Sequence, residues 1–327
     1  MKPYLLKGHE RPLNFVKFNR EGDLLITCAK DHHPTLWFSD DGYRVGTYNG
    51  HNGAVWTCDI TWDSEKLITA SADSSVKLWD IASGKDLFTF STSEPCRAVA
   101  FSLGDRMAAY STDQFMGQPS GIHLVNIADD LSEQKGDVIK SLSGPKGRIT
   151  RVAWTDLNRT LVTAGEDGFV RRWDVETGKI TAENRIHDLD IKDMRFSKDG
   201  THFITASGDR TAKIVDAQDL TVMKEFAFER PANAADMSPI ADHVVVGGGQ
   251  EASQVTTSAG KAGRFESRFF HKVYQEEFGT VRGHFGPVNA VAFHPDGRSF
   301  VTGGEDGYVR LQHFDATYFN MLNKQEL

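Results

Sequence analysis

Along the whole chain, short apolar runs of five to seven residues are broken by clusters of Asp, Ser, Gly and Asn, and no 3.6-residue periodicity of useful length interrupts the series. Residues 50–90 show the pattern most clearly. Runs at 54–60, 66–71, 76–81 and 86–90 have strand character, and Trp62-Asp63-Ser64, Asp73-Ser74-Ser75 and Ala82-Ser83-Gly84 read as the turns between them. Four short strands in about forty residues form a propeller blade. The unit repeats with fixed internal spacing: His9 to Asp31, His51 to Asp73, His187 to Asp209 and His284 to Asp306 are each 22 residues apart. Six positions after the Asp stand Trp37, Trp79, Val215 and Gln312, and the same step from Asp167 reaches Trp173. Val125 lies twelve residues after Asp113, and Phe270 takes the slot after a long run beyond Gly247, so two repeats carry insertions. The slots at 37, 79, 125, 173, 215, 270 and 312 are 42, 46, 48, 42, 55 and 42 apart.

This predicts an all-β, seven-bladed β-propeller with blades at about 8–49, 50–90, 91–142, 143–185, 186–227, 228–282 and 283–315, then a short tail at 316–327. A ring of blades leaves its last sheet one strand short unless the chain ends share it. Tyr4, Leu5 and Leu6, within a strand at 3–7 before Gly8-His9, are predicted to close the ring on the blade begun around Val288.

Trp79-Asp80 and Trp173-Asp174 resemble the dipeptide that names the WD-repeat class, although only these two repeats of seven keep it. The resemblance implies a buried, purely structural set made of a His, a strand Ser or Thr, a turn Asp and a Trp. His51, Ser71, Asp73 and Trp79 are the residues expected to form it. A His/Ser/Asp trio also suits a hydrolase, but a catalytic triad has no reason to recur with a structural repeat, as His9/Asp31, His187/Asp209 and His284/Asp306 do.

Composition narrows the classes. Hydrophobic residues at 39% and charged residues at 25% fit an ordered globular chain. A formal charge of −8 argues against a protein built mainly to bind a phosphate backbone. Cys28, Cys58 and Cys96 lie in or beside apolar runs without metal-ligand spacing, and are expected to be buried thiols. The first residues lack the apolar core of a signal peptide, and no stretch reaches the ~18 apolar residues of a membrane span. A soluble, cytoplasmic protein is the expectation.

Neither a cofactor nor a metal is expected. Gly247, Gly248, Gly249, Gly260 and Lys261 invite a phosphate-loop reading, but Val255 and Ala262 stand where that loop needs Gly and Ser or Thr. A turn or bulge opening a blade-six insertion is the reading preferred. His32-His33 beside Asp31 has no third or fourth ligand in view, and Asp40-Asp41, Asp129-Asp130 and Glu276-Glu277 have no acid–base partner. Arg171, Arg172, Arg264 and Arg268 are too sparse for a nucleic-acid stripe.

The segments VVVGGGQEASQVTT (244–257), GRFESRFFH (263–271), EEFGTVRGHFGPVNAVAFHPDGRSF and VTGGEDGYVRLQHFDATYF resemble the WD-repeat i subunit of eukaryotic translation initiation factor three. KGHERPL (7–13), REGDLL (20–25) and NGHNGAVW (49–56) extend the likeness to the other end. Residues 91–146 match weakly, and Ser253-Gln254 stand where that family carries Asp. The resemblance implies a non-catalytic scaffold subunit. It would dock on the C-terminal helix of subunit b, contact subunit g, and join the small ribosomal subunit in preinitiation-complex assembly, scanning and start-codon selection.

Within residues 216–229, Asp216, Asp219, Met223, Glu225, Phe228 and Glu229 are expected to offer that helix an apolar strip flanked by carboxylates, the alternative being a strand whose apolar residues face inward and whose acids are its solvated side. The alternatives are a WD-repeat adaptor in a signalling complex, which has no reason to carry the 244–271 motifs, and an enzyme, which needs a non-repeating polar cluster.

Overall fold

In a computed structural model, residues 3–117, 119–143, 147–249 and 265–325 are described; Ser253, Gln254, Gly260, Lys261 and Arg264 lie outside them. The chain is a seven-bladed β-propeller of four-stranded antiparallel sheets. Blade two shows how the sequence builds one. Val55–Ile60, Lys66–Ser71, Ser75–Asp80 and Asp86–Ser91 run from the axis outward. The second strand is buried on both faces because its blade is packed between two others, whereas in the outermost strand only Phe90 is fully buried. In every blade the innermost pairing carries a bulge near its start, in blade two between Val55 and Thr57. A bulge adds local twist, which a radial blade needs.

Seven apolar clusters fill the seven junctions between neighbouring blades. The ring closes as predicted: Pro3–Lys7 pairs antiparallel with Tyr308–His313, in register from Pro3 opposite Gln312 to Lys7 opposite Tyr308. Buried Leu6 joins Val309 and Leu311 in the cluster that also holds Leu13 and Val16 of blade one, so the two chain ends share one core.

One expectation needs correction. Gly247 and Gly248 do not open a turn; they end the buried second strand of blade six, His243–Gly248. A Cβ at Gly247 would sit 2.7 Å from Val288 and Val291, and one at Gly248 would sit 2.2 Å from the Pro231 carbonyl oxygen. Close approach of neighbouring strands and loops, not a special backbone angle, demands glycine there. The short tail expected after 315 carries a helix, Ala316–Gln325. Its Tyr318 ring stacks on Phe314 at 3.8 Å, and the Tyr318 hydroxyl lies 2.8 Å from His243 Nδ1 in blade six. No helix among the described residues is long and apolar enough to cross a membrane.

Candidate functional site

In blade two, Asp73 sits in the turn between the second and third strands and His51 in the loop entering the blade. His51 Nδ1 lies 2.9 Å from the Asp73 carboxylate and Nε2 lies 2.7 Å from the Thr69 hydroxyl. An ionised carboxylate only accepts, so Nδ1 carries the hydrogen and Nε2 accepts from Thr69. The Trp79 indole N–H then donates to the Thr69 oxygen at 2.8 Å, completing a chain with every polar atom paired. Asp73 also accepts from the Asn52 N–H at 2.8 Å and the Ser75 hydroxyl at 2.6 Å. Burial works to raise the Asp73 carboxyl, but the bonds from His51, Ser75 and Asn52 outweigh it and hold the group well below the usual carboxylate range.

The expected strand hydroxyl, Ser71, is not a member of this set. It lies two residues further along the strand, about 7 Å away. There its hydroxyl donates to the Gly53 carbonyl at 3.0 Å and accepts from the Asp73 N–H at 3.3 Å, fastening the loop instead. Thr69 was legible all the same: Thr27, Thr69, Thr205 and Thr302 each stand 18 residues after the His, and each lies 2.7–2.8 Å from its ring.

The other blades keep the role and change the chemistry. Asp167 pairs with Arg171 at 2.6 Å where blade four lacks the His, and Trp173 still donates to Thr163 at 2.9 Å. Asp113 of blade three takes Arg97 at 2.7 Å. In blade five, burial lowers the His187 pKa against the pull of Asp209, which keeps that imidazole neutral. These histidines spend both ring nitrogens on the protein's own groups and offer a substrate neither acid nor base. Cys28, Cys58 and Cys96 are buried and unpaired with one another by disulfide, and burial pushes the Cys96 thiol up to about 12. Among the described residues no three His, Cys, Asp or Glu side chains cluster as metal ligands.

The segment expected to meet a partner lies at the outer edge of blade five. Asp216 accepts from the Gln218 and Asp219 N–H groups, and Asp219 accepts from the Thr221 N–H and hydroxyl, so both shape the turn into the outer strand Val222–Ala227. Met223 is 55% exposed beside exposed Val222. Glu225 pairs with Lys213 and Glu229 with Arg268, each at 3.1 Å. Phe228 is the correction here: it is buried in the blade five–six junction under the Arg268 guanidinium, so it presents no face to a partner.

Structure adds what the sequence reading missed. Val273 and Tyr274, the latter 70% exposed, lie in the corresponding turn of blade six, and the Lys224 ammonium ties the blades by donating to the Val273 carbonyl at 3.1 Å. The available signal was that Val273 and Tyr274 stand where blade two carries Ala82-Ser83 and blade five Gln218-Asp219.

A family model described as EIF3I matches residues 1–323. The chain is 47% identical over 326 residues to "Eukaryotic translation initiation factor 3 subunit I" of Drosophila melanogaster, covering 98% of this chain and 99% of that one. It is 48% identical over 326 residues to the protein of that name from Drosophila grimshawi, and 47% identical over 326 residues to that from Culex quinquefasciatus, with the same coverage.

Proposed function

The chain belongs to the family of eukaryotic translation initiation factor 3 subunit I, translation initiation factors, and from that premise we propose a non-catalytic scaffold subunit of the factor-three complex in the cytoplasm. In this reading it holds the C-terminal helix of subunit b, contacts subunit g, and supports preinitiation-complex assembly, scanning and start-codon selection on the small ribosomal subunit. A scaffold role is supported by the four His–Asp–Thr sets, whose repetition and full internal pairing leave no reactive group over.

One observation carries the docking surface: exposed Val222 and Met223 of blade five adjoin Lys224, whose ammonium reaches the Val273 carbonyl next to exposed Tyr274 of blade six, with Asp216 and Asp219 in the turn that precedes Val222. An amphipathic helix with Arg or Lys beside its apolar face fits such a strip, burial giving affinity and charge pairs setting orientation. Calorimetry with the C-terminal segment of subunit b tests it. Met223→Asp with Tyr274→Asp should weaken binding about tenfold or more, and Asp219→Lys with Glu225→Lys should weaken it and make the remainder less sensitive to salt. Unchanged affinity in folded variants removes this surface.

A further inference from the structure

The turns that join the innermost strand to the second strand in blades two, three and four form a second, separate surface. Each presents one large apolar side chain to solvent: Trp62 is 56% exposed, Leu103 54% and Leu157 76%. All three rim the same basin of about 1920 Å³ at one mouth of the central channel. They are held in place. Asp105 of blade three accepts from the Trp62 N–H at 2.7 Å. The Asn158 amide of blade four grips Leu103 at both ends, accepting from its N–H at 2.7 Å and donating to its carbonyl at 2.8 Å.

Leu157 is costly where it stands. Asp156, Leu157 and Asn158 have φ of 50°, 51° and 70°, a left-handed run in which the leucine gains nothing from glycine-like freedom and buries little of its side chain. A rigid frame holding exposed apolar groups in register is what a binding platform requires.

The charges around it choose the partner. Three of the four carboxylates on these turns are engaged internally, exposed Glu65 being the fourth: Asp63 accepts from the Thr61 hydroxyl and Glu65 N–H, Asp105 from the Trp62 N–H, and Asp156 faces Arg172 at 3.9 Å. The cations at the two ends are available. Arg20 lies flat on the Trp62 ring at 3.9 Å, with exposed Glu21 its one carboxylate neighbour among the described residues. Lys198 of blade five forms no ion pair with any described residue. Nucleic acid is a poor fit, because two of the three apolar groups are aliphatic and offer no stacking face, and two cations are few for a phosphate backbone.

We propose that the Trp62–Leu103–Leu157 rim binds an extended peptide segment of a partner protein that carries apolar side chains between acidic residues. The apolar groups cover the three rim residues while flanking carboxylates reach Arg20 and Lys198. This goes beyond the blade five–six reading and stands without it.

Selection of a random peptide library displayed on phage against the full chain, with counter-selection on Leu157→Asp, tests it. Expected are peptides of net negative charge with two or more apolar residues. Synthetic copies should lose about tenfold or more in affinity on Leu157→Asp and on Arg20→Glu with Lys198→Glu, and lose nothing on Met223→Asp. Leu157→Gly guards against a folding artefact: it relieves the left-handed strain, so the melting temperature should hold or rise while peptide binding falls. The proposal is overturned by recovery of basic peptides, by equal recovery on wild type and Leu157→Asp, or by an oligouridylate that binds only when Leu157 is present.

Discussion

Asp59 in blade two and Asp236 in blade six stand at the same place on the innermost strand, and each clasps the next blade. Asp59 accepts from the Phe101 N–H and its own neighbour Ile60, both at 2.8 Å; Asp236 accepts from the Phe293 N–H at 2.7 Å and from Met237 at 2.8 Å. They differ in countercharge. Lys17 of blade one binds Asp59 directly, whereas no cation lies within ion-pair distance of Asp236 among the described residues, and Arg195 acts on it only through space. The contrast runs through both blades. Blade two fills its slot with Trp79 and a hydrogen-bonded chain; blade six fills it with Phe270 and backs its neighbour Phe269 with aromatic packing, Phe300 at 5.1 Å and Phe314 at 6.0 Å. Strand spacing dictates the blade, and the chemistry inside can change wherever another filler satisfies the same volume.

The sharpest way to break this comparison is truncation at the shared slot. Trp79→Ala should cost about 3–5 kcal/mol, since a fully buried indole leaves a cavity. It also deprives the Thr69 oxygen of the indole donor, so Phe270→Ala should cost less by about 1 kcal/mol. Denaturant midpoints of the two variants decide it; an equal or greater loss at Phe270 would mean the polar chain in blade two contributes nothing beyond volume.

Next in size is the chain itself. Thr69→Val keeps the shape but leaves His51 Nε2 and the Trp79 N–H unpaired, which should cost about 1–3 kcal/mol. Ser71→Ala removes only a loop fastening and should cost about 0.5–1.5 kcal/mol. Thermal melts of the two variants separate the roles, and a larger loss from Ser71→Ala would restore Ser71 to the set.

These residues also show what the sequence could and could not convey. The 22-residue His-to-Asp step follows from backbone geometry, so it survived where Trp had become Val215 or Gln312 and, with the spacing of the slots, made the whole ring legible, including its closure by Tyr4, Leu5 and Leu6. Thr69 and Ser71 face the same side of one strand two residues apart, and only the position of the His51 ring along that strand separates them. Gly247 and Gly248 looked like turn residues because glycine reports space as readily as backbone angle, and the space is set by Val288, Val291 and Pro231, far away in the chain or in another strand. At the proposed partner surface, alternation of apolar and acidic residues in 216–229 located the edge of blade five. It could not say that Phe228 turns inward or that Val273 and Tyr274 arrive from blade six.

The smallest expected effect tests the missing countercharge. Burial, with no close cation to offset it, pushes the Asp236 carboxyl up to about 6, against about 3.9 in an unfolded chain. Between those values the folded protein binds the proton and the unfolded chain does not, so stability falls as pH rises through that window and returns as pH drops from 7 to 5. The gain on acidification is about 1 kcal/mol by the linkage relation. Asp73 in blade two has the opposite sign: its lowered pKa contributes stability that is complete above about pH 4 and is lost only in stronger acid. Asp236→Asn keeps an acceptor for Phe293 and removes the titration. Subtracting its pH–stability curve from that of the wild type should therefore leave a step between pH 5 and 7 that favours the wild type at the acid end. Buried His187 titrates in both proteins and cancels in the difference. Superimposable slopes would show that Arg195 supplies Asp236 with the countercharge that Lys17 gives Asp59, and the distinction between the two clasps would vanish.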